Sequence, residues 1–395
     1  MVEALARRYA AARAPFIRLG SGLSRYGNGS MTVRCITCLP AVVGAWRRRG
    51  GGLLGSTGSG QAFDTSVVTR EDLQPGPTRL VNMNRLGHAL NGLADPRVMA
   101  LFVYNANPAA VTPDQAQVLR GLAREDLFTV VHERFLTDTA RWADLVLPAT
   151  SSLEHHDMYV GYGQYCLQRV DPAIPPVGES RPNWELFREL ARRMGIDHPF
   201  FRQEAPQVLD ALLARPAPLR QGIDLAGLSE GRAVELALPP SARTFRTPSG
   251  RIEIENPRLA HPLPGWLPTH EEEGRLPFRL MTGAALHGLN SSFRERPELV
   301  RREGGVKLLV HPDDARRRGL ASAAQVVAWN ELGSSTFDLE VTERTPPGVV
   351  VAEGVPWLTQ VAGGRNVNAL TSQRLTDEGA GSTFYDNRVD LRSAL

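Results

Sequence analysis

The sequence predicts a mixed α/β protein: a doubly wound α/β region followed by a C-terminal β-barrel. Two observations predict it. From Thr78 onward short apolar runs alternate with amphipathic stretches, as in Leu101–Tyr104, Thr112–Arg124 and Phe128–Val131. Such alternation implies parallel strands joined by right-handed crossovers. From Pro277 onward the texture changes to short strands separated by turns, the pattern of a barrel or sandwich. The 395 residues suffice for about two or three domains. The expected division is 1–50 as the end of an α/β domain, 51–245 as a second α/β domain, 246–276 as a linker and 277–395 as the barrel.

Residues 1–14, rich in alanine and arginine, read as a helix, and Phe16–Leu19 as a short strand followed by the turn Gly20-Ser-Gly22. Residues 31–46 read as helical, and glycine-rich or polar sequence runs from Gly50 to about Pro77. Leu101–Tyr104 is a buried strand and Asn105-Ala-Asn-Pro108 a turn. Thr112 is placed to cap the next helix, with Pro113 at its first position. Asn183–Met194 places Trp184, Phe187, Leu190 and Ala191 on one face, with Asn183 as a cap and Gly195 closing the helix. Thr247–Glu255 reads as a turn and an alternating strand, and His261–Gly274 as a linker rich in proline and glutamate. Barrel strands are expected at Phe278–Met281, Val306–Val310, Gln325–Trp329, Ser334–Val341 and Gly348–Ala352, with a short helix capped by Asp313.

Composition is that of a globular protein, 42% hydrophobic and 22% charged. A net charge of +3 gives no reason to invoke nucleic acid. No apolar run reaches the ~20 residues of a membrane span, and no apolar stretch follows a basic N-terminus, so a cytoplasmic location is expected. Lys307 is the only lysine, a bias best assigned to genome composition. Cys35 and Cys38 are spaced C-x-x-C, but no second pair completes a four-ligand metal site. They are expected to pack in an apolar element.

The run Phe128-Thr-Val-Val-His-Glu-Arg-Phe-Leu-Thr-Asp-Thr-Ala-Arg-Trp-Ala-Asp-Leu-Val-Leu-Pro148 carries the most information. It places Glu133, Thr137, Thr139 and Asp144 on a polar connection past the carboxyl end of a strand, where open α/β sheets hold ligands. In isolation, Glu133 and the threonines read as a capping acid and ordinary turn residues. The barrel region carries a second motif, Thr282-Gly-Ala-Ala-Leu-His-Gly-Leu-Asn-Ser-Ser292. A third is formed by Asn366-Val-Asn-Ala-Leu-Thr371 and Gly381–Val389.

Together these segments resemble the molybdopterin-guanine-dinucleotide oxidoreductases, the dimethyl sulfoxide reductase superfamily. The resemblance covers most of the chain but corresponds to the C-terminal half of a family member. It implies a bis-molybdopterin guanine dinucleotide cofactor with molybdenum or tungsten. Any iron–sulfur cluster, and the metal's protein ligand, are expected in an N-terminal half or a separate subunit. It further implies that Glu133 accepts from guanine N1–H and N2–H, a bidentate contact, assisted by Thr137, with Asp144 in the same motif. Asn105 or Asn107 would bind ribose or phosphate oxygens. His155, beside Glu154, and Asn183 fall where the family carries polar groups near the cofactor; alone, His155 and His156 read as surface groups. Thr282 and Gly283 would approach the pterin, and His287, Asn290 and Ser291 would donate to pterin and phosphate. Relatives often carry arginine after that glycine; here it is Ala284. Asn368 and Tyr385 would lie near the pterin. The expected chemistry is two-electron redox on a small molecule. The rival readings are a non-catalytic fragment or split subunit that binds a cofactor or partner, and a nicotinamide dehydrogenase, which lacks its complete G-x-G-x-x-G here.

Overall fold

The structure, a computed structural model, describes residues 1–56, 58, 60–237, 245, 247–270, 276–320 and 322–394. The chain forms two compact units, each assembled from separated stretches. One comprises Met1–Leu19, Pro40–Arg79 and Leu147–Glu253; the other comprises Gly20–Leu39, Leu80–Val146 and Ile254–Leu395.

The second unit holds a short parallel sheet and the barrel. Ala100–Tyr104 and Phe128–Glu133 pair in parallel, with Tyr104 opposite His132, and Leu145–Pro148 lies on the other side of Phe128–Glu133. Parallel neighbours need a crossover, here through helices Pro108–Val111 and Gln115–Leu122. Leu90, Ala109, Val118, Leu122 and Leu127 form the core beneath them. The barrel closes through six strands in the order Lys307–Val310, Gly333–Val341, Gln325–Asn330, Asn387–Ser393, Phe278–Gly283 and Val349–Glu353. Strand side chains alternate between faces, and the inward set is apolar: Phe278 and Leu280, Leu308 and Val310, Val350 and Ala352, Val389 and Leu391. Phe337 and Leu320 fill the middle.

In the first unit, Phe16–Arg18 and Gly52–Leu54 pair in parallel. An antiparallel hairpin, Asp157–Val160 with Cys166–Val170, is extended by Val234–Glu235. Leu167, Leu219, Leu228 and Leu236 form its core. Among the described residues no helix is long and apolar enough to cross a membrane.

Several local expectations need correction. The cap of helix Gln115–Leu122 is Asp114, whose carboxylate accepts from the Gln117 N–H; Thr112 stands two residues too early, closing the preceding helix instead. His311 rather than Asp313 caps helix Pro312–Arg317, because its Nδ1 accepts from Asp313 N. Helix Asn183–Arg193 is preceded by Pro182, so Asn183 is its first residue and makes no capping bond. No strand forms over Arg251–Glu255. Cys35 and Cys38 lie on helix Gly29–Val42, half-buried and outside the apolar cores. Burial still pushes the Cys38 thiol up.

Candidate functional site

The parallel pair sets the geometry of the site. With Tyr104 opposite His132, Asn105 and Glu133 come next to each other at the carboxyl edge of the sheet. Asn105 adopts φ +53°, a left-handed conformation that asparagine tolerates better than most residues, and it is exposed. The Glu133 side chain is 13% exposed. Its Oε1 accepts from Arg134 N at 2.7 Å and lies 3.9 Å from Arg134 Nε. Its Oε2 has no partner among the described residues. Phe135 and Leu136 follow it on the exposed turn.

Behind this edge the polar groups are committed to one another. Asn107 is buried; its Oδ1 accepts from Thr139 N at 3.1 Å and Thr139 Oγ1 at 2.8 Å, while its Nδ2 donates to Asp138 Oδ2 at 3.2 Å. Thr139 Oγ1 in turn accepts from Ala109 N. Thr137 is also buried, its hydroxyl accepting from Ala140 N at 3.3 Å. Asp144 is exposed and fastened to the neighbouring strand through Thr129 N at 2.6 Å. Asn107, Thr137 and Asp144 therefore build the strand-end loops, whereas Asn105 and Glu133 present free groups.

The barrel contributes the loop after Phe278–Gly283. Thr282 and Gly283 end that strand beside Val351, which a side chain at Gly283 would meet at 3.3 Å. The Glu303 carboxylate accepts from Leu286 N and His287 N, fixing the half-buried His287. A bridge between Leu289 and Ser292 holds Asn290 exposed at φ +51°, with Ser291 half-buried beside it.

One short segment connects the barrel loop to the sheet edge. Trp357 Nε1 donates to Ser291 O at 2.8 Å, Leu358 N to Asp138 Oδ1 at 3.0 Å, and Gln360 Nε2 to Arg294 O at 2.7 Å. Asn368 and Asn366 add a second junction, both donating to Ala110 O, and both are buried. Tyr385 is half-buried with its ring edge-on to Tyr26, centroids 5.9 Å apart. Burial raises the Tyr26 phenol, with Arg279 opposing.

His155 and Asn183 belong to the other compact unit. His155 Nδ1 lies 2.8 Å from Thr150 Oγ1 and its Nε2 3.7 Å from Asp157. Its neighbour Glu154 accepts from Ser151 N at 2.6 Å and Val177 N at 2.7 Å. The Ser151 hydroxyl and these two N–H groups hold its carboxyl down at about 2. Two residues of the second unit escaped the sequence reading. Asp138 was inside the quoted motif, between two threonines. Arg294 had no signal, one arginine among many.

The family model described as "Molybdopterin oxidoreductase" matches residues 1–193, and the one described as "Molydopterin dinucleotide binding domain" matches residues 278–389. The probable oxidoreductase YoaE of Bacillus subtilis (strain 168) is 37% identical over 98% of this chain and 58% of its own length. The dimethyl sulfoxide reductase DmsA of Escherichia coli (strain K12) is 25% identical over 98% of this chain and 54% of its own length. The chain thus spans little more than half of the relatives it matches. Among solved structures, acetylene hydratase from Pelobacter acetylenicus shares the fold with a TM-score of 0.67 at 22% identity, over 80% of this chain and 47% of its own.

Proposed function

We infer, for a chain that belongs to the molybdopterin oxidoreductase family, that Glu133 and the barrel loop receive a molybdopterin guanine dinucleotide. The observation that carries this is the pairing of a half-buried carboxylate having a free Oε2 with a hydrogen-bonded brace that runs from Asp138 of its loop through Trp357–Gln360 to Ser291 and Arg294. The donor set fits the group. Guanine offers two N–H donors on one edge, and a carboxylate shielded from water is the acceptor that matches them. Asn105, exposed and adjacent, would reach ribose or phosphate oxygens. Thr282, Gly283, His287, Asn290 and Ser291 would line the pterin and phosphate side, with Tyr385 and Asn368 closer to the barrel rim.

When bound, the molybdenum or tungsten bis-molybdopterin group supplies two-electron redox chemistry; the chain supplies binding, orientation and electrostatics. Glu133 holds the nucleotide as a hydrogen-bond acceptor. The buried Asn107–Asp138–Thr139 cluster keeps its loop from yielding. The substrate is a small redox-active molecule, and the remaining cofactor contacts come from the part of the enzyme that the relatives possess outside the matched region, in the same polypeptide or another subunit.

The test is to purify the chain together with that part and measure molybdenum, oxidised pterin fluorescence and released GMP per chain. Glu133→Gln turns one acceptor into a donor facing a donor, an expected loss of ~1–3 kcal/mol in cofactor binding. Glu133→Asp should retain much of it. Unchanged GMP and metal content in Glu133→Gln would overturn the assignment.

A further inference from the structure

We propose that Arg294 is a buried phosphate-binding residue, a cation that binds the pyrophosphate of the dinucleotide through the loop His287–Ser291. This rests on the function proposed above and extends it to a residue that the motifs do not contain.

Arg294 is 6% exposed. Its Nε is shut off from solvent without a hydrogen-bond partner among the described residues. The guanidinium lies against Gly288, where a side chain would come within 2.7 Å of Nη2, 2.8 Å of Cζ and 2.9 Å of Nε. Gly354, at φ +75°, is its other neighbour, with Nη2 2.5 Å from where a side chain would begin. Two glycines thus make the room it occupies. The carboxylate within electrostatic range is Glu303, whose oxygens already accept from Leu286 N and His287 N. Burial pushes the guanidinium down from its usual range.

A buried arginine can be purely structural, and the same chain shows what that looks like. Arg220 is 7% exposed and has no carboxylate partner among the described residues. It donates to the carbonyls of Ala62 at 2.7 Å, Leu213 at 2.6 Å, Leu212 at 3.2 Å and Arg215. Arg294 has no such set. A buried charge without acceptors is costly unless a partner arrives. The missing partner is an anion with several acceptor oxygens, because guanidinium presents a planar fork of donors suited to phosphate. Its position against Gly288, inside the loop His287–Ser291, and against Gly354 puts that anion on the barrel side of the proposed site. It would also supply the positive charge that Ala284 does not.

The test uses the full 395-residue chain and calorimetric titration with guanosine, GDP, inorganic pyrophosphate and nitrate. Expected is tighter binding of GDP than of guanosine. Arg294→Gln should weaken GDP and pyrophosphate on the order of tenfold to a hundredfold and leave guanosine unchanged. Glu133→Gln should weaken guanosine and GDP and leave pyrophosphate unchanged. If Arg294→Gln leaves GDP binding intact while Glu133→Gln weakens it, the proposal fails and the functional reading stands. If only pyrophosphate binds, in an Arg294-dependent way, the phosphate site stands and the guanine assignment fails. Absence of all binding overturns both, and nitrate binding more tightly than pyrophosphate overturns the link to the cofactor. Folding provides a second readout. Arg294→Met should melt at or above the wild-type temperature without ligand and lose stabilisation by pyrophosphate. A clear drop in the unliganded melting temperature would mark Arg294 as a structural strut.

Discussion

The buried carboxylate of Asp138 should be the most sensitive single group in the brace between sheet edge and barrel. It is 2% exposed and accepts from Leu358 N at 3.0 Å and Asn107 Nδ2 at 3.2 Å. In Asp138→Asn the new amide can keep its oxygen toward Leu358 N, which turns its NH2 toward the Asn107 NH2. Asn107 cannot flip to relieve this, because its Oδ1 holds Thr139 through two bonds. One charge-assisted hydrogen bond is lost and two donors face each other, a cost of ~1.5–3 kcal/mol. Asp138→Ala leaves both donors without acceptors, ~1–3 kcal/mol for each and so ~2–6 kcal/mol together. Urea denaturation gives the global value, and exchange of the Leu358 amide gives the local one. A stability within about 0.5 kcal/mol of wild type in Asp138→Asn, with Leu358 exchange unchanged, would refute the brace.

Glu154 should make the stability of its unit pH-dependent. Its folded pKa of about 2 lies below the unfolded value near 4.5, so its contribution is complete above about 4.5 and disappears as pH falls toward about 2. The melting temperature of Glu154→Gln should therefore fall short of wild type at neutral pH and converge with it in acid; a gap that widens in acid would contradict this. The chain alone is expected to show no dye-linked turnover when loaded with molybdate, and to gain it when a counterpart of the region outside the matched 58% of YoaE's length is supplied; turnover by the chain alone would redirect the search to Cys35, Cys38 and Cys166.

The barrel was legible where its strands were long and their inward positions apolar, as in Gln325–Asn330 and Gly333–Val341. The closing strand Asn387–Ser393 was not, because only Val389 and Leu391 mark its inward face and the rest is polar. Hairpin Asp157–Val170 was likewise hidden by a central Gly-Tyr-Gly-Gln stretch that reads as a turn without declaring strands on either side. The helix caps erred by one or two residues because several polar candidates sat together and geometry chose among them. Asp114 succeeded by taking a left-handed conformation that Thr112 does not. At the candidate site, the strand-end position of Glu133 could be read from the apolar run before it. Asp138 could not, since its partner Leu358 is 220 residues away in sequence. Arg294 could not either, because what sets it apart is a buried Nε without an acceptor among the described residues, a property of the folded surroundings alone. The fold by itself does not fix the reaction, since acetylene hydratase shares it with chains named as oxidoreductase and reductase.

The segment Trp357–Gln360 has a mechanical consequence. Because it grips Ser291 and Arg294 on one side and Asp138 on the other, opening one loop without the other would break one or more of these bonds. They form a single stiff jaw, set when the chain folds and not when a guest arrives. A ligand entering such a jaw orders little that was loose, so its affinity is governed by the fit of its contacts more than by loop closure. Loosening the jaw by a single bond would therefore register first as faster departure of the guest, and only later as a change in its final pose.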